Sequence, residues 1–276
     1  MDETPIKVLE SEQTPKGQKG KSHRGYMWAY HAPVEKMALF DYRSGRDRAG
    51  PNQLLAAFQG TLQSDGYSVY EMFERRQGIT LAGCLAHARR KFDEALSYDR
   101  ERASHILALI QALYAIERQA KDEELDHAQR LFLRKEKASP LFDQLEQYLK
   151  TAILEVLPKS PVGQAISYSL NRWKKLGQYL LNGALEIDNN LVENAIRPIA
   201  IGRKNYLFAG NHEAAQNLAM LYTFMASCKV NGVNPEAWLK DIFIRLPEHP
   251  VNQVEELLPH RWKPLEKYPW WLENEG

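Results

Sequence analysis

The sequence has few cysteines and no long apolar run. Its 276 residues include two cysteines, Cys84 and Cys228, which stand far apart. This spacing argues against a disulfide framework and favours a reducing compartment. No stretch approaches the roughly 20 consecutive apolar residues of a membrane-spanning helix, and the charged start MDETPIK is not a secretory signal. These absences predict a soluble, cytoplasmic protein with no membrane partner and two structural thiols.

The chain also lacks a strong net charge. The formal value is +1 at pH 7, which does not by itself indicate a nucleic-acid partner. The basic residues are unevenly placed, however. Positions 16 to 48 contain only three acidic residues but eight basic ones, which are Lys16, Lys19, Lys21, Arg24, Lys36, Arg43, Arg46 and Arg48. A second cluster is HARRKF, around Arg89 and Arg90. Each cluster is a candidate phosphate-contacting surface, although such clusters are often only solvated faces.

The first part of the chain has the pattern of a mixed α/β sheet. An initial strand and two hairpin-linked strands, YMWAYHA and KMALFDY, are predicted first. PNQLLAAF predicts a helix with proline at its start, and Leu62 lies in a short strand that ends at Asp65 and Gly66. Residues 67–76 predict an amphipathic helix, and ITLAGCLAH a strand leading into the helix of ARRKFDEAL. Strands alternating with helices favour a mixed sheet, whereas residues from about 98 to 183 show only helical periodicity.

The segment DNNLVENAIRPIAIGRKNYLF, residues 188–208, carries polar side chains at helical spacing. Asn189, Glu193 and Arg197 are four residues apart and so share one face of a predicted helix. Pro198 predicts the end of that helix, with Arg203 and Lys204 in the turn that follows. Such a pattern most often indicates a solvent-exposed helix face with salt bridges.

Three acidic residues have placements that suit a shared metal site. Asp2 enters the first strand, Asp65 ends a later strand, and Glu193 lies on the helix after the long helical region. In a mixed sheet whose first and fourth strands are neighbours, these carboxylates can converge. Convergent carboxylates bind hard divalent cations such as Mg²⁺ or Mn²⁺, and two such ions support phosphodiester cleavage or transfer. Asp188 competes for the third position, but an aspartate followed by two asparagines is typical of a helix N-terminus.

Five ordered motifs make the chain resemble the transposases of the insertion sequence 66 family: DETP, SDGYSVY, AGCLAHARRKF, DNNLVENAIRPIAIGRKNYLFAG and CKVNGVNPEAWLKDI. The resemblance extends from Asp2 to about Pro259. It implies an RNase H-like catalytic domain with a DDE triad, interrupted by a large all-α insertion and followed by a small helical C-terminal element. The implied limits are 1–98 and 184–213 for the RNase H-like core, 99–183 for the insertion, 214–260 for the C-terminal element and 261–276 for an irregular tail.

The resemblance assigns the triad, which also holds the metal, to Asp2, Asp65 and Glu193. It implies metal-dependent cleavage at the transposon end and attack of the freed 3′-hydroxyl on target DNA. Phosphate contacts are expected from six basic residues: His87, Arg89, Arg90, Arg197, Arg203 and Lys204. An alternative role for His87, Arg89 and Arg90 is structural ion pairing with acids such as Asp93 and Glu94. Trp173 is a candidate for stacking on a base, although its spacing with Ile166 and Leu170 favours a core role.

Transposon ends and target DNA are the implied partners, with a homodimer in a synaptic complex and accessory transposition proteins as further candidates. Asp2 lies next to the start of the chain, where a mobile terminus is expected. The resemblance also implies a preceding region for DNA-end recognition, so an N-terminally truncated form is predicted. Two alternatives stay open, namely a catalytically inactive DNA-binding remnant and a metal-dependent repair or junction nuclease.

Overall fold

The computed structural model describes residues 1–9 and 21–265. Within these residues the chain forms five strands: β1 (Asp2–Leu9), β2 (Ser22–Ala32), β3 (Met37–Arg43), β4 (Gly60–Gln63) and β5 (Ile79–Ala82). It also forms ten α-helices: α1 (Ala49–Leu54), α2 (Leu85–Ala95), α3 (Arg100–Asp122), α4 (His127–Leu133), α5 (Ser139–Ala152), α6 (Pro161–Asn171), α7 (Trp173–Leu176), α8 (Asn190–Tyr206), α9 (His212–Val230) and α10 (Pro235–Arg245). The predicted α/β class is confirmed, with mostly helical content and small sheets. The predicted single mixed sheet is wrong for the described residues, because β1, β2 and β3 form one sheet and β4 and β5 form another. No helix of this described part is long and apolar enough to cross a membrane. Of the predicted tail, residues 266–276 lie outside the described residues, as do Lys16 and Lys19 of the basic stretch.

The chain divides into two compact units. The first contains Met1 and residues 47–191, and the second contains the described residues of 2–46 and 192–276. Each unit has its own hydrophobic core.

The second unit is built on an antiparallel sheet with the order β1-β2-β3. Alternation along β1 places Ile6 and Val8 on the buried face, as period-2 patterning requires. The same core contains Met27 and Phe40 from the other two strands. Three residues of α8 complete it: Val192, Ile196 and Ile199. Helix α9 packs on β3, where Ser227 Oγ donates to the Ala38 carbonyl at 3.0 Å.

Helix α8 does not end at Pro198, which corrects the prediction from the sequence. It continues through the proline to Tyr206, so Arg203 and Lys204 lie in its last turn. Proline lacks the N–H that would bond to the carbonyl four residues earlier, which costs about 3 kcal/mol inside a helix. Burial of Ile196 and Ile199 on either side of the proline offsets this cost, since a buried isoleucine contributes about 1.5–3 kcal/mol.

The first unit joins a small parallel sheet to a helical core. Strands β4 and β5 pair in parallel, with Leu62 opposite Leu81. Between them, Ser68–Arg75 forms a 3₁₀ helix where the sequence predicted an amphipathic helix, and it buries Tyr70 and Phe73. Helices α2 to α7 contribute one continuous apolar cluster, which explains why the sequence from α3 onward shows only helical periodicity.

Several of these helices begin at side-chain caps. The Asp126 side chain accepts hydrogen bonds from the amides of Ala128 and Gln129, and the Asp126 amide donates to Gln129 Oε1, which completes a capping box. Ser160 caps α6 directly before Pro161, and Asn234 caps α10 before Pro235. Such caps satisfy amides that the first helical turn leaves without partners. They fix where each helix begins.

A buried ion network holds the loop between α7 and α8. The guanidinium of Arg134 is fully buried and donates to both oxygens of Glu117 at 2.7 Å. It also donates to three backbone carbonyls, those of Tyr179, Asn182 and Leu185. All N–H groups of this guanidinium therefore have an acceptor. A buried charge is tolerated under this condition.

Candidate active site

Asp65 lies in a tight turn after β4. Its Oδ1 accepts a hydrogen bond from the Tyr67 amide at 2.8 Å, which is the geometry of an Asx turn. Gly66 follows with a φ of +88°, a conformation that favours glycine. The second oxygen, Oδ2, accepts no hydrogen bond from a described residue, so the carboxylate is held by one oxygen and offers the other.

Asp2 is the first residue of β1 and pairs in register with Ala29. Its Oδ1 accepts from the Glu3 amide at 2.8 Å, and the side chain is half-buried. The expectation of a mobile terminus beside it is wrong. Met1 is only 6% exposed, its nitrogen donates to the Gln63 carbonyl at 2.7 Å, and its carbonyl accepts from Asn189 Nδ2 at 3.1 Å. These bonds immobilise the residue that precedes Asp2 in the chain.

Glu193 lies half-buried in the first turn of α8. The partial positive charge at a helix N-terminus stabilises a carboxylate there. Asn189 was predicted to share a helix face with Glu193. It instead precedes the helix and is buried, and its backbone N–H donates to Cys84 Sγ at 3.3 Å.

Asp188 has a structural role, as the sequence predicted. Its Oδ1 accepts from the amide of Asn190, the first residue of α8, at 3.0 Å. Its Oδ2 accepts from the Asn190 side chain at 2.8 Å and from the Tyr114 hydroxyl at 2.8 Å. With both oxygens engaged and the residue 7% exposed, Asp188 is a poor competitor for a metal.

The basic residues of α8 differ in their surroundings. Arg197 and Lys204 are exposed, whereas Arg203 is half-buried and donates to the Pro5 carbonyl at 2.5 Å. Arg203 lines a groove of the second unit, here called the β1–β2 groove, with Lys7, Ser22, His23 and Arg24. None of the described residues that line this groove is acidic. Lys7 and Arg24 are directly opposite each other in the sheet register, where like charges repel. The groove therefore concentrates positive charge.

The HARRKF residues lie on α2. His87 is half-buried, with Nδ1 3.2 Å from Cys84 Sγ. Arg89 is exposed and forms an ion pair with Asp93 at 3.4 Å, the alternative that the sequence left open. Arg90 is exposed and makes no ion pair with a described residue. Cys84 is buried, and this burial raises the pKa of its thiol to about 11.

Trp173 packs in the helical core of the first unit. Its ring stacks on Phe142 with centroids 4.1 Å apart and planes inclined by 24°. This contact takes one face of the indole ring, in keeping with the core role that its spacing favoured.

Sequence reasoning missed the residues that contact the Asp65 turn. Tyr168 Oη donates to the Asp65 carbonyl at 3.0 Å, and Arg172 Nη2 donates to the Gly66 carbonyl at 3.3 Å. Tyr168 stands 103 positions after Asp65, and nothing in local periodicity indicates such a contact. The only available signal was that a tyrosine and an arginine four residues apart share a helix face.

The donor chemistry suits a divalent cation. Asp2, Asp65 and Glu193 each supply carboxylate oxygen, the ligand that Mg²⁺ and Mn²⁺ prefer. The free Oδ2 of Asp65 is consistent with this use. These residues therefore fit the metal chemistry that the sequence suggested.

Comparison with known proteins gives two family matches. The family described as "Transposase IS66 family" matches residues 1–217, and the "IS66 C-terminal element" matches residues 223–260. No solved structure matches the chain.

Curated relatives come from Sinorhizobium fredii. The uncharacterized protein y4hP is 36% identical over 241 residues, which cover 80% of this chain and 43% of that protein. The uncharacterized protein y4qI is 34% identical over 261 residues, covering 89% of this chain and 48% of the relative. The chain thus spans about half the length of the curated relatives it matches.

Proposed function

Because the chain belongs to the IS66 family of transposases, we propose that it carries the catalytic part of a DNA transposase. The proposed reaction is metal-dependent cleavage of DNA at the ends of an insertion sequence, followed by transfer of the freed strand to target DNA. The observation that carries this proposal is the family match over residues 1–217, a range that includes all three candidate carboxylates. An RNase H-like core with a helical insertion over 99–183 is part of the proposal.

The proposed metal ligands are Asp2, Asp65 and Glu193. Bound Mg²⁺ or Mn²⁺ supplies activation of the attacking oxygen and stabilisation of the leaving oxygen in phosphodiester chemistry. The chain's contribution is to hold carboxylates in fixed orientations. Asp65 is oriented through its bond from the Tyr67 amide. The bonds of Asp188 to Tyr114 and Asn190 support the choice of Glu193 over Asp188 as the third ligand.

DNA is the proposed partner, as transposon ends and as target. The β1–β2 groove supports this proposal, because Lys7, Arg24 and Arg203 line it and none of its described lining residues is acidic. Guanidinium and ammonium groups bind phosphate through charge-assisted hydrogen bonds. Further phosphate contacts are proposed for five residues: His87, Arg89, Arg90, Arg197 and Lys204. Base stacking by Trp173, a homodimer in a synaptic complex, accessory proteins and a cytoplasmic location complete the proposal.

The test is a nicking and strand-transfer assay on insertion-sequence end DNA with Mg²⁺. Wild type should nick the DNA and join its 3′-ends to target, while Asp65→Asn and Glu193→Gln should lower the rate at least a hundredfold. Glu94→Gln, an exposed carboxylate on α2, is the matched control and should keep wild-type activity. Cleavage that persists in both triad variants would sink the proposal.

A DNA-binding protein without catalysis is the second candidate, and the three basic side chains among the described lining residues of the β1–β2 groove favour it. In that case DNA binding should be salt-dependent and equal in wild type and the triad variants, with no nicking in any of them. A nuclease is recognised by release of 3′-ends without joining to target DNA.

A further inference from the structure

The Asp65–Gly66 turn is held from outside by helix α6 and the residue that follows it. Tyr168, in the last turns of α6, donates its hydroxyl to the Asp65 carbonyl at 3.0 Å. Arg172, directly after α6, donates to the next carbonyl along, that of Gly66, at 3.3 Å. Two consecutive carbonyls of the turn therefore receive side-chain donors from one helix end, and both groups come from the long helical region.

These contacts leave no room for a side chain at position 66. A Cβ built on Gly66 would lie 2.8 Å from Arg172 Nε and 3.2 Å from Tyr168 Oη. The φ of +88° also disfavours any residue with a Cβ. Two independent features thus favour glycine at position 66, namely its backbone conformation and the close approach of the two donors.

The two donors are themselves fixed. The Arg172 guanidinium lies 4.4 Å from the centre of the Tyr168 ring, and Lys91 Nζ lies 4.8 Å from it. Arg172 also approaches Glu71 at 3.7 Å. The turn is therefore contacted by donors that are themselves packed against neighbouring side chains.

We propose that Tyr168 and Arg172 are positioning residues for the Asp65 carboxylate. They act through the backbone of the Asp65–Gly66 turn and not on the substrate. This inference rests on the proposed function, in which Asp65 is a metal ligand, and it gives the helical region a direct part in that function. A metal ligand must be held within a fraction of an ångström of its working position. Gly66 gives the turn backbone conformational freedom, and the hydrogen bonds from the two donors restrict it.

The experiment compares Tyr168→Phe and Arg172→Met with wild type. Tyr168→Phe keeps the ring that packs beside Lys91 and Arg172 and removes only the hydroxyl. Tyr148→Phe is the matched control, because Tyr148 is a half-buried tyrosine of α5 whose ring lies beside His105, 4.3 Å between centroids. Three quantities are measured: amide hydrogen exchange of a peptide covering residues 64–70, the Mn²⁺ dissociation constant by electron paramagnetic resonance, and kcat against KM for nicking.

Tyr168→Phe and Arg172→Met should speed exchange in residues 64–70, raise the Mn²⁺ dissociation constant about fivefold and lower kcat while KM for DNA is unchanged. Tyr148→Phe should change none of these. Unchanged exchange in Tyr168→Phe overturns the proposal, and so does faster exchange with wild-type Mn²⁺ affinity and kcat. A wild-type protein that neither binds Mn²⁺ nor nicks DNA overturns the proposed function and these positioning roles with it. The wild-type measurement therefore distinguishes the two failures.

Discussion

The hydroxyl of Tyr114 donates a partly buried hydrogen bond of 2.8 Å to the carboxylate of Asp188. Burial, followed by the charge of Asp188, raises the pKa of Tyr114 well above its ordinary value, so the phenol remains a donor. The same carboxylate accepts hydrogen bonds from the backbone and side-chain nitrogens of Asn190 at the start of α8. A helix start is thus tied to α3 through one aspartate.

Asp188→Asn should lower stability but preserve metal chemistry. The substitution replaces one accepting oxygen by a donor within a buried set of bonds, which costs about 1–3 kcal/mol of unfolding free energy. Urea denaturation measures this cost, and the nicking assay measures activity at a temperature where the variant is folded. Glu193→Gln should lose nicking activity. Loss of nicking in folded Asp188→Asn would contradict the assignment of the third carboxylate to Glu193.

Removal of Arg134 should destabilise the first unit severely. Arg134→Met leaves Glu117 without one of its cationic partners and removes the guanidinium donor from three backbone carbonyls. Breaking a buried pair in this way costs about 3–5 kcal/mol. Arg89→Ala breaks the exposed pair with Asp93 and should cost less than about 1 kcal/mol. Equal denaturation midpoints for the two variants would show that the buried network contributes nothing beyond a surface pair.

Glu186 should make stability depend on pH on the acid side. Burial alone would raise its pKa, but hydrogen bonds and charge from Arg130 outweigh burial and hold the pKa below the ordinary value of 4.5. The folded protein therefore binds fewer protons here than the unfolded chain, so this stabilisation is present above about pH 4.5 and is lost as pH falls through the lower, folded-state pKa.

Denaturation of wild type and Glu186→Gln from pH 3 to pH 7 checks this dependence. The stability difference between the two should be largest at neutral pH and shrink on acidification. A difference that stays constant over this range would contradict the assigned direction.

The β1–β2 groove should carry part of the DNA affinity. Lys7→Ala and Arg24→Ala should each weaken binding and reduce the slope of log affinity against log salt by about 1. Lys229→Ala removes an exposed lysine of α9 outside the groove and serves as control. Filter binding or fluorescence anisotropy at several salt concentrations measures both quantities. A salt slope that falls equally in all three variants would show that the groove is no special contact.

Local patterns predicted the elements well where burial follows periodicity. The initial strand was predicted from the sequence, and the alternation of β1 is visible there. The end of α8 was not predictable in this way, because the local penalty at Pro198 is outweighed by packing of Ile196 and Ile199 against strands far away in the sequence.

The candidate site shows the same division. Asp65 and Gly66 were recognised as the end of a strand, since a turn signal follows a short apolar segment. Tyr168, Arg172 and the Glu117–Arg134 pair were missed, because their contacts join residues separated by 17 to 106 positions. Periodicity reports which face of a helix is buried, but it does not report which polar group that face meets.

The nesting of one unit within the other has a consequence for synthesis. Residues 47–191 belong to the first unit and interrupt the second. Strands β1 to β3 therefore leave the ribosome well before Val192, Ile196 and Ile199, which complete their core. At about 5–20 residues per second, the intervening stretch takes roughly 7 to 30 s to translate. During that interval the apolar side of a newly made three-stranded sheet has no permanent cover, so the nascent chain depends on chaperones or on its own slow collapse to stay out of aggregates.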